Sequence, residues 1–299
     1  MIQFDGHAST VSSLAFSPDS MTLASGAKDG GVKLWDAAGE VVRDFKHGGV
    51  SAPRFVTWSP NGKWLAITHN DTCDVCPIST AADPLHRRTL LLAEYISSHH
   101  FLDKHLLAIA TDGRKGSAGG SLSLWDNTTW ARRPLPTAVN ASHGIRAIAA
   151  HPATKRLHWI AGLPQTTACV WRSWCITSPN ATDVKLGKPA SAISVSPDGG
   201  TVAIASDWLV KVFTADGKPL VELNGHKGQV TGVGFVHGGR TAVSASWDET
   251  VRLWDVSTGK ETARFPLTVG KLSALAVSPD GTRVAVGGTD GPIVLIDAE

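Results

Sequence analysis

The chain repeats itself. The tripeptide Leu-Trp-Asp stands at residues 34–36, 124–126 and 253–255. Asp36 and Asp126 lie 90 residues apart, two steps of 45, and Asp126 and Asp255 lie 129 apart, three steps of 43. A second marker, Ser-Pro-Asp or Ser-Pro-Asn, opens at Ser17, Ser59, Ser196 and Ser278, with a first gap of 42 and a last of 82, twice 41. Two unrelated markers keep one period. A chain with that property is built from copies of one supersecondary unit, each burying its apolar surface against its neighbours.

Every period has the same internal grammar. In the first, TVSSLAF (10–16) is apolar-rich and β-prone, SPDS (17–20) is a turn, and MTLASG (21–26) is a second strand. AKDG (27–30) turns tightly into GVKLWD (31–36), and after AAG comes EVVRDF (40–45). Strands of five or six residues between Gly, Asp and Pro turns form a four-stranded antiparallel meander. The period from Asn224 repeats this with QVTGVGF, RTAVSAS, TVRLWD and KETARF. The others drift. The second keeps SPNGKWLAI but has Val75-Cys76-Pro77 for Leu-Trp-Asp; the third inserts a glycine-rich stretch before SLSLWD; the fourth reads IRAIAAHPATKRLHWIAG and then ACVW. Phe213 in the fifth and Ile296 in the seventh stand in for Trp.

The seventh period stops after three strands, and its fourth has a source. Ile2-Gln3-Phe4 precedes Gly6-His7 just as Leu223 precedes Gly225-His226, so the N-terminal strand is expected to pair with the last unit. The expectation is one all-β domain over 1–299, a seven-bladed β-propeller closed by that strand. Its blades fall near 5–45, 46–92, 93–138, 139–186, 187–223, 224–265 and 266–299 plus 1–4. Closure removes the exposed edges of an open array.

Composition suits a large core, with 42% apolar and 18% charged residues. Net charge is only +2 and no Lys/Arg run exceeds two, so no basic stripe for nucleic acid is expected. The opening MIQFDGHAST has no basic cap or apolar stretch, and no window reaches the ~18 apolar residues of a membrane span. Four cysteines in this length make no disulfide framework. A monomer in the cytoplasm, without membrane or nucleic-acid contact, is the expectation.

These residues resemble the WD-repeat (tryptophan–aspartate repeat) β-propeller family, to which the heterotrimeric G-protein β subunit belongs. The resemblance covers the whole chain, strongest in repeats one and six and partial in two, three and four. It implies a hydrogen-bonded tetrad of His, Ser/Thr, Asp and Trp, matched by His7, Ser25, Asp29, Trp35 and by His226, Ser244, Asp248, Trp254. In both, His to Asp is 22 residues and Asp to Trp is 6. Asp207 and Asp290 keep the turn position in repeats five and seven without the Trp. A His/Ser/Asp set invites a nucleophilic reading, but one that repeats with the blades and places Ser within a strand is expected to stabilise the fold.

Other chemistry-bearing groups have plain readings. Cys73 and Cys76 form a C-x-x-C, yet three residues apart on a strand they face opposite ways. His99, His100, Asp103 and His105 have a metal-like composition, but His99 aligns with Leu14 and His100 with Ala15, neighbours that diverge. GRKGSAGG (113–120) is basic and glycine-rich without the phosphate-loop pattern. Seven of the eleven tryptophans, Trp35, Trp58, Trp64, Trp125, Trp159, Trp171 and Trp254, read as core, and Trp247 as exposed.

The resemblance also implies that partners bind the face bearing the first-strand entrances and the second-to-third-strand turns. Entrance positions match Thr10, Tyr95, Gln229 and Lys271, and turn positions match Lys28, Thr111, Ser206, Trp247 and Thr289. Arg114 and Lys115 in the third-repeat insertion join them. The expected site for a protein or peptide is therefore Lys28, Tyr95, Arg114, Lys115, Gln229, Trp247 and Lys271, with the cations favouring an acidic partner. No cofactor, metal or catalytic residue is expected. The competing reading is a propeller hydrolase or lyase at the mouth of the central channel. A third, capture of a modified side chain by Trp247 and Tyr95, needs aromatics on neighbouring blades, whereas these sit in the sixth and third.

Overall fold

The computed structural model describes residues 1–46, 52–78, 87–92, 94–113, 120–136, 139, 144–162 and 168–298. Among them the strands form seven four-stranded antiparallel sheets with no α-helix. In blade one the strands are Val11–Phe16, Leu23–Ala27, Gly31–Trp35 and Val41–Lys46, paired in sequence order. Blade six repeats this with Val230–Val236, Thr241–Ser246, Thr250–Asp255 and Glu261–Pro266.

The first strands of successive blades pack side by side around a central channel, and that of blade seven, Leu272–Val277, returns to Val11–Phe16. The seam is latched as the sequence anticipates. Ile2–Phe4 pairs antiparallel with Ile293–Asp297, Ile2 opposite Leu295 and Phe4 opposite Ile293, completing the seventh blade. Phe4 is buried and its ring stacks on Trp35 of blade one, centroids 5.7 Å apart and planes at 25°. Gly39, at a φ of +87°, opens the space: a Cβ there would run into the Phe4 ring.

The core is a set of layers between blades rather than a single centre. One layer joins blades seven and one through Phe4, Leu14, Trp35, Ala274 and Leu295; another joins five and six through Val212, Phe235 and Trp254. Each inner sheet is apolar on both faces, so second strands such as Thr201–Ser206 are buried almost end to end, while the outermost Glu261–Pro266 alternates with solvent. A hydroxyl at the start of the first strand ties adjacent blades together. Ser12 donates to the Pro53 carbonyl at 2.6 Å, Ser191 to Val230 at 2.7 Å, Thr231 to Leu272 at 2.9 Å, and Ser273 to Val11 at 2.6 Å across the seam.

The Ser-Pro-Asp/Asn marker proves to be a turn lock at the lower end of the first strand. Ser17 Oγ donates to Asp19 at 2.5 Å and accepts the Thr22 N–H at 2.9 Å. Ser59 with Asn61, Ser196 with Asp198, and Ser278 with Asp280 repeat it.

Blade four departs from the sequence alignment in one respect. Trp174, not the Trp171 of ACVW, holds the place of Trp35: it pairs with Leu157 as Trp35 pairs with Leu23, and it faces blade three. Trp171 faces blade five beside Phe213. Residues three apart on a strand point to opposite sides, and the drifted repeat offers two candidates at that spacing.

Phe4→Ala removes the buried ring of the latch and leaves a cavity against Trp35. It is expected to cost about 3–5 kcal/mol, seen as a lower urea midpoint, while an exposed outer-strand change, Leu220→Ala, leaves the midpoint within experimental scatter.

Candidate protein-binding face

Two complete tetrads hold the turns that carry the candidate site. In blade six the Trp254 indole N–H donates to Ser244 Oγ at 2.9 Å, and Ser244 lies 2.8 Å from His226 Nε2. His226 Nδ1 lies 2.9 Å from Asp248, which also accepts the Lys227 backbone N–H at 2.8 Å. Blade one has the same set: Trp35 to Ser25 at 2.8 Å, Ser25 to His7 at 2.7 Å, His7 to Asp29 at 3.0 Å. One proton arrangement satisfies all of them: indole N–H to Ser oxygen, Ser O–H to Nε2, Nδ1–H to carboxylate.

Burial pushes the pKa of both tetrad histidines down, and the neighbouring carboxylate opposes this only in part. The rings are neutral at pH 7. Burial alone would raise Asp248, but hydrogen bonds from Thr250, the Lys227 backbone and His226 outweigh it and hold the carboxyl well below its usual range. Blade six adds Arg252, buried and bonded to Glu261 at 2.8 Å and Asp248 at 3.3 Å. Ser25 and Ser244 are 0% exposed, walled in by their own tetrads.

Above the tetrads, one backbone hydrogen bond recurs on the upper face. The residue before the turn donates to the residue before the first strand: Lys28 to Thr10 at 2.9 Å, Trp247 to Gln229 at 2.9 Å, Thr289 to Lys271 at 3.0 Å, and Asp112 to Tyr95 at 3.1 Å. This brings Gln229, Trp247 and Lys271 together. Trp247 is 46% exposed, and the Lys271 ammonium lies 5.4 Å from its ring centroid, in cation–π contact from the next blade. Lys28 is exposed on blade one, which adjoins blade seven, where Thr10 Oγ1 donates to the Thr289 carbonyl at 3.3 Å. Tyr95 is half-buried on blade three, apart from this group. Arg114 and Lys115 lie outside the described residues.

Two turn positions shift from the sequence alignment. In blade three the recurring bond places Asp112, not Thr111, at the turn; Thr111 is buried and bonds Glu94 and Ser121. In blade five Ser206 is buried and donates to the Pro189 carbonyl at 2.9 Å, as Ser246 does to Gly228 in blade six. The exposed residues of that turn are Asp207 and Trp208, in a hairpin one residue shorter than that of blade six. Trp208, 63% exposed, is an upper-face aromatic that the sequence alignment passes over. Its signal was present: it directly follows the turn Asp207, as Trp247 directly precedes Asp248.

The remaining candidates are structural. Cys73 packs toward blade three and Cys76 toward blade one, opposite faces of one strand, and burial raises both thiol pKa values, Cys76 to about 11. His99 Nε2 meets the Ala66 carbonyl at 3.2 Å, His100 Nδ1 the Phe101 carbonyl at 3.0 Å, and Asp103 accepts two N–H groups of its own turn.

Comparison with known proteins agrees with this geometry. The family model "WD domain, G-beta repeat" matches residues 1–36 and 217–255. The nuclear distribution protein nudF of Emericella nidulans is 27% identical over 282 residues, covering 84% of this chain and 60% of that protein. The periodic tryptophan protein 2 homolog of Schizosaccharomyces pombe is 36% identical over 107 residues, 34% of this chain and 12% of its own. An uncharacterised WD repeat-containing protein of Synechocystis is 34% identical over 97 residues, 32% of this chain and 28% of that one. The chain thus spans about 60% of the length of curated relatives that align along most of it.

Acid is expected to loosen the fold through its buried histidines. His158 has no hydrogen-bond partner on either ring nitrogen among the described residues; burial, then Arg156 and His151, lower its pKa to about 4, and burial lowers His99 to about 3. The folded state keeps both neutral, whereas the unfolded chain protonates them near pH 6.5. Their stabilising contribution is therefore full above about pH 6.5 and lost as pH falls toward 4. His158→Leu should flatten urea stability over that window by about 3 kcal/mol at most; an unchanged slope would refute the assignment.

Ser244→Ala tests the other half of the site. It orphans the Trp254 N–H and His226 Nε2 and is expected to cost about 1–3 kcal/mol for each, measured by denaturant unfolding. The repeat model finds the two blades whose tetrads are intact, and relatives align through the drifted ones as well, so the closed ring of seven and these likenesses together support the WD-repeat β-propeller family for this chain.

Proposed function

We propose that this chain is a non-catalytic scaffold that binds a protein or peptide through the upper face of its propeller. The observation that carries the reading is Trp247: a large aromatic side chain held out to solvent from a turn braced by the Asp248 tetrad. Exposed, pre-positioned Trp is the commonest kind of interface anchor, because it contributes area without losing much side-chain freedom. Lys271 beside it and Lys28 on blade one have no ion-pair partner among the described residues, which favours a partner with acidic groups facing them. Tyr95 on blade three offers a second contact point for a partner broad enough to span the ring. The four free thiols, three of them buried, suit a reducing cytoplasm.

The hydrolase or lyase reading finds little support in the described residues. The lower channel holds a cavity of about 530 Å³ lined by groups such as Phe16, Trp58, His100, His151, Phe235 and Leu275, with no carboxylate among its lining residues. Its histidines are bonded to backbone and Thr154. The tetrad serines are sealed from substrate.

The test is partner capture by the purified chain and by Trp247→Ala, Tyr95→Ala and a lower-face control, Lys260→Ala, each with its melting curve. Trp247→Ala is expected to lower capture about tenfold or more with unchanged melting, Tyr95→Ala less, and the control not at all. Equal capture by Trp247→Ala and the control would sink the proposal.

A further inference from the structure

The exposed aromatic anchors sit side by side on blades five and six. The Val230 N–H donates to the Asp207 carbonyl at 2.8 Å, and the Gln229 carbonyl accepts the Trp247 N–H at 2.9 Å. One dipeptide, Gln229-Val230, therefore grips the turn bearing Trp208 on one side and the backbone of Trp247 on the other. Lys271, over the Trp247 ring, continues the row onto blade seven. Trp208, Gln229, Trp247 and Lys271 form one ridge across three adjacent blades.

The polar groups of this ridge select what covers it. The two indole N–H groups and the Gln229 amide make no hydrogen bond among the described residues, and Lys271 has no ion pair there. Asp248, the carboxylate next to Trp247 in sequence, is already engaged by His226, Thr250 and Arg252. The ridge thus presents flat aromatic faces and donors. Its complement is a segment rich in acceptors, with flat apolar rings and few N–H groups of its own. A proline-containing extended segment has that chemistry: pyrrolidine rings stack on indoles, its carbonyls point outward, and its stiffness lowers the ordering cost. Charge complementarity adds one requirement at one end. Lys271 and Lys227 offer cations to one carboxylate, while Asp207, Glu249 and Asp290 in the turns of the three blades offset much of the positive charge, so a long acidic tract is disfavoured.

We infer that Trp208, Gln229, Trp247 and Lys271 form a docking ridge for an extended, proline-containing segment of a partner protein, with a single acidic residue seated at Lys271. This rests on the upper-face reading and narrows it to blades five to seven, with Trp208 as the second anchor.

Selection of a random dodecapeptide display library on the full chain tests it. Enriched peptides are expected to contain proline with one Asp or Glu a few residues away. Trp208→Ala and Trp247→Ala should each lower binding of an enriched synthetic peptide about tenfold or more, and Lys271→Glu should exchange the acidic preference for a basic one. All three residues are exposed, so melting curves should stay unchanged. No enrichment, enrichment without proline, or full binding to Trp208→Ala overturns the inference. If Trp247→Ala loses binding while Trp208→Ala keeps it, this inference falls and the upper-face reading stands. If both keep it, both fall.

Discussion

A four-stranded sheet that is apolar on both faces has nowhere to rest except between two others like it, and this sets the rest of the structure. Each inner strand of the chain reads as a nearly continuous apolar run, so each blade exposes two faces that water must not reach. A linear stack would leave its two ends uncovered. A ring has no ends, and the last uncovered face is met by Val11, Leu14 and Trp35 of blade one. The short pairing of Ile2–Phe4 with Ile293–Asp297 therefore matters beyond its three residue pairs, because it makes closure obligatory between the first and last stretches of the chain. Contacts that distant in sequence form late and release little until the ring is complete.

The tetrads show how such a repeat drifts without failing. Ser25 and Ser244 accept a Trp N–H, and where the Trp is lost the Ser is lost with it. The register puts Ile67 opposite Val56 in blade two, Ile204 opposite Ile193 in blade five, and Val286 opposite Leu275 in blade seven, all in the place of Ser25 opposite Leu14. Removing one partner of a buried hydrogen bond leaves an unsatisfied group, whereas replacing both by apolar groups is nearly neutral. Blade three keeps Trp125 with Ile109 in the serine's place, and the indole bonds Ser123 instead, at 3.0 Å. Blade four is the least resolved compromise: Trp159 takes the serine position with its N–H unpaired, and His158 stacks on Trp171 with neither ring nitrogen bonded among the described residues.

That pattern also explains what was legible beforehand. Periodicity of the Leu-Trp-Asp and Ser-Pro-Asp markers carried the number of units, the strand order and the latch, because each marker has a fixed mechanical place: indole on the third strand facing the preceding blade, hydroxyl in the turn lock. The turns were less legible. Alignment assumes equal lengths, and blade five shortens its upper hairpin by one residue, which moves Ser206 inward and Trp208 outward. In blade three the alignment sets Asp112 against Asp29, whereas the pairing puts Thr111 in the place of buried Ala27 and Asp112 in the place of Lys28. A single inserted or deleted residue exchanges buried for exposed positions on a strand, so sequence placement is weakest at the turns of the upper face.

The same rigidity that keeps the blades in register argues for recognition over chemistry. Catalysis needs a titratable group that reaches substrate with its proton affinity adjusted to the task. Here the perturbed histidines are buried and pushed toward the neutral form, and the depressed carboxylates Asp29 and Asp248 spend their lone pairs on backbone N–H groups and a histidine. Their effect is to fix the upper turns. A turn fixed from below holds its exposed side chains in place before any partner arrives, and the ordering cost of binding is met during folding. What the surface offers at the ends of those turns is indole, amide and ammonium, the groups on which the proposed docking rests.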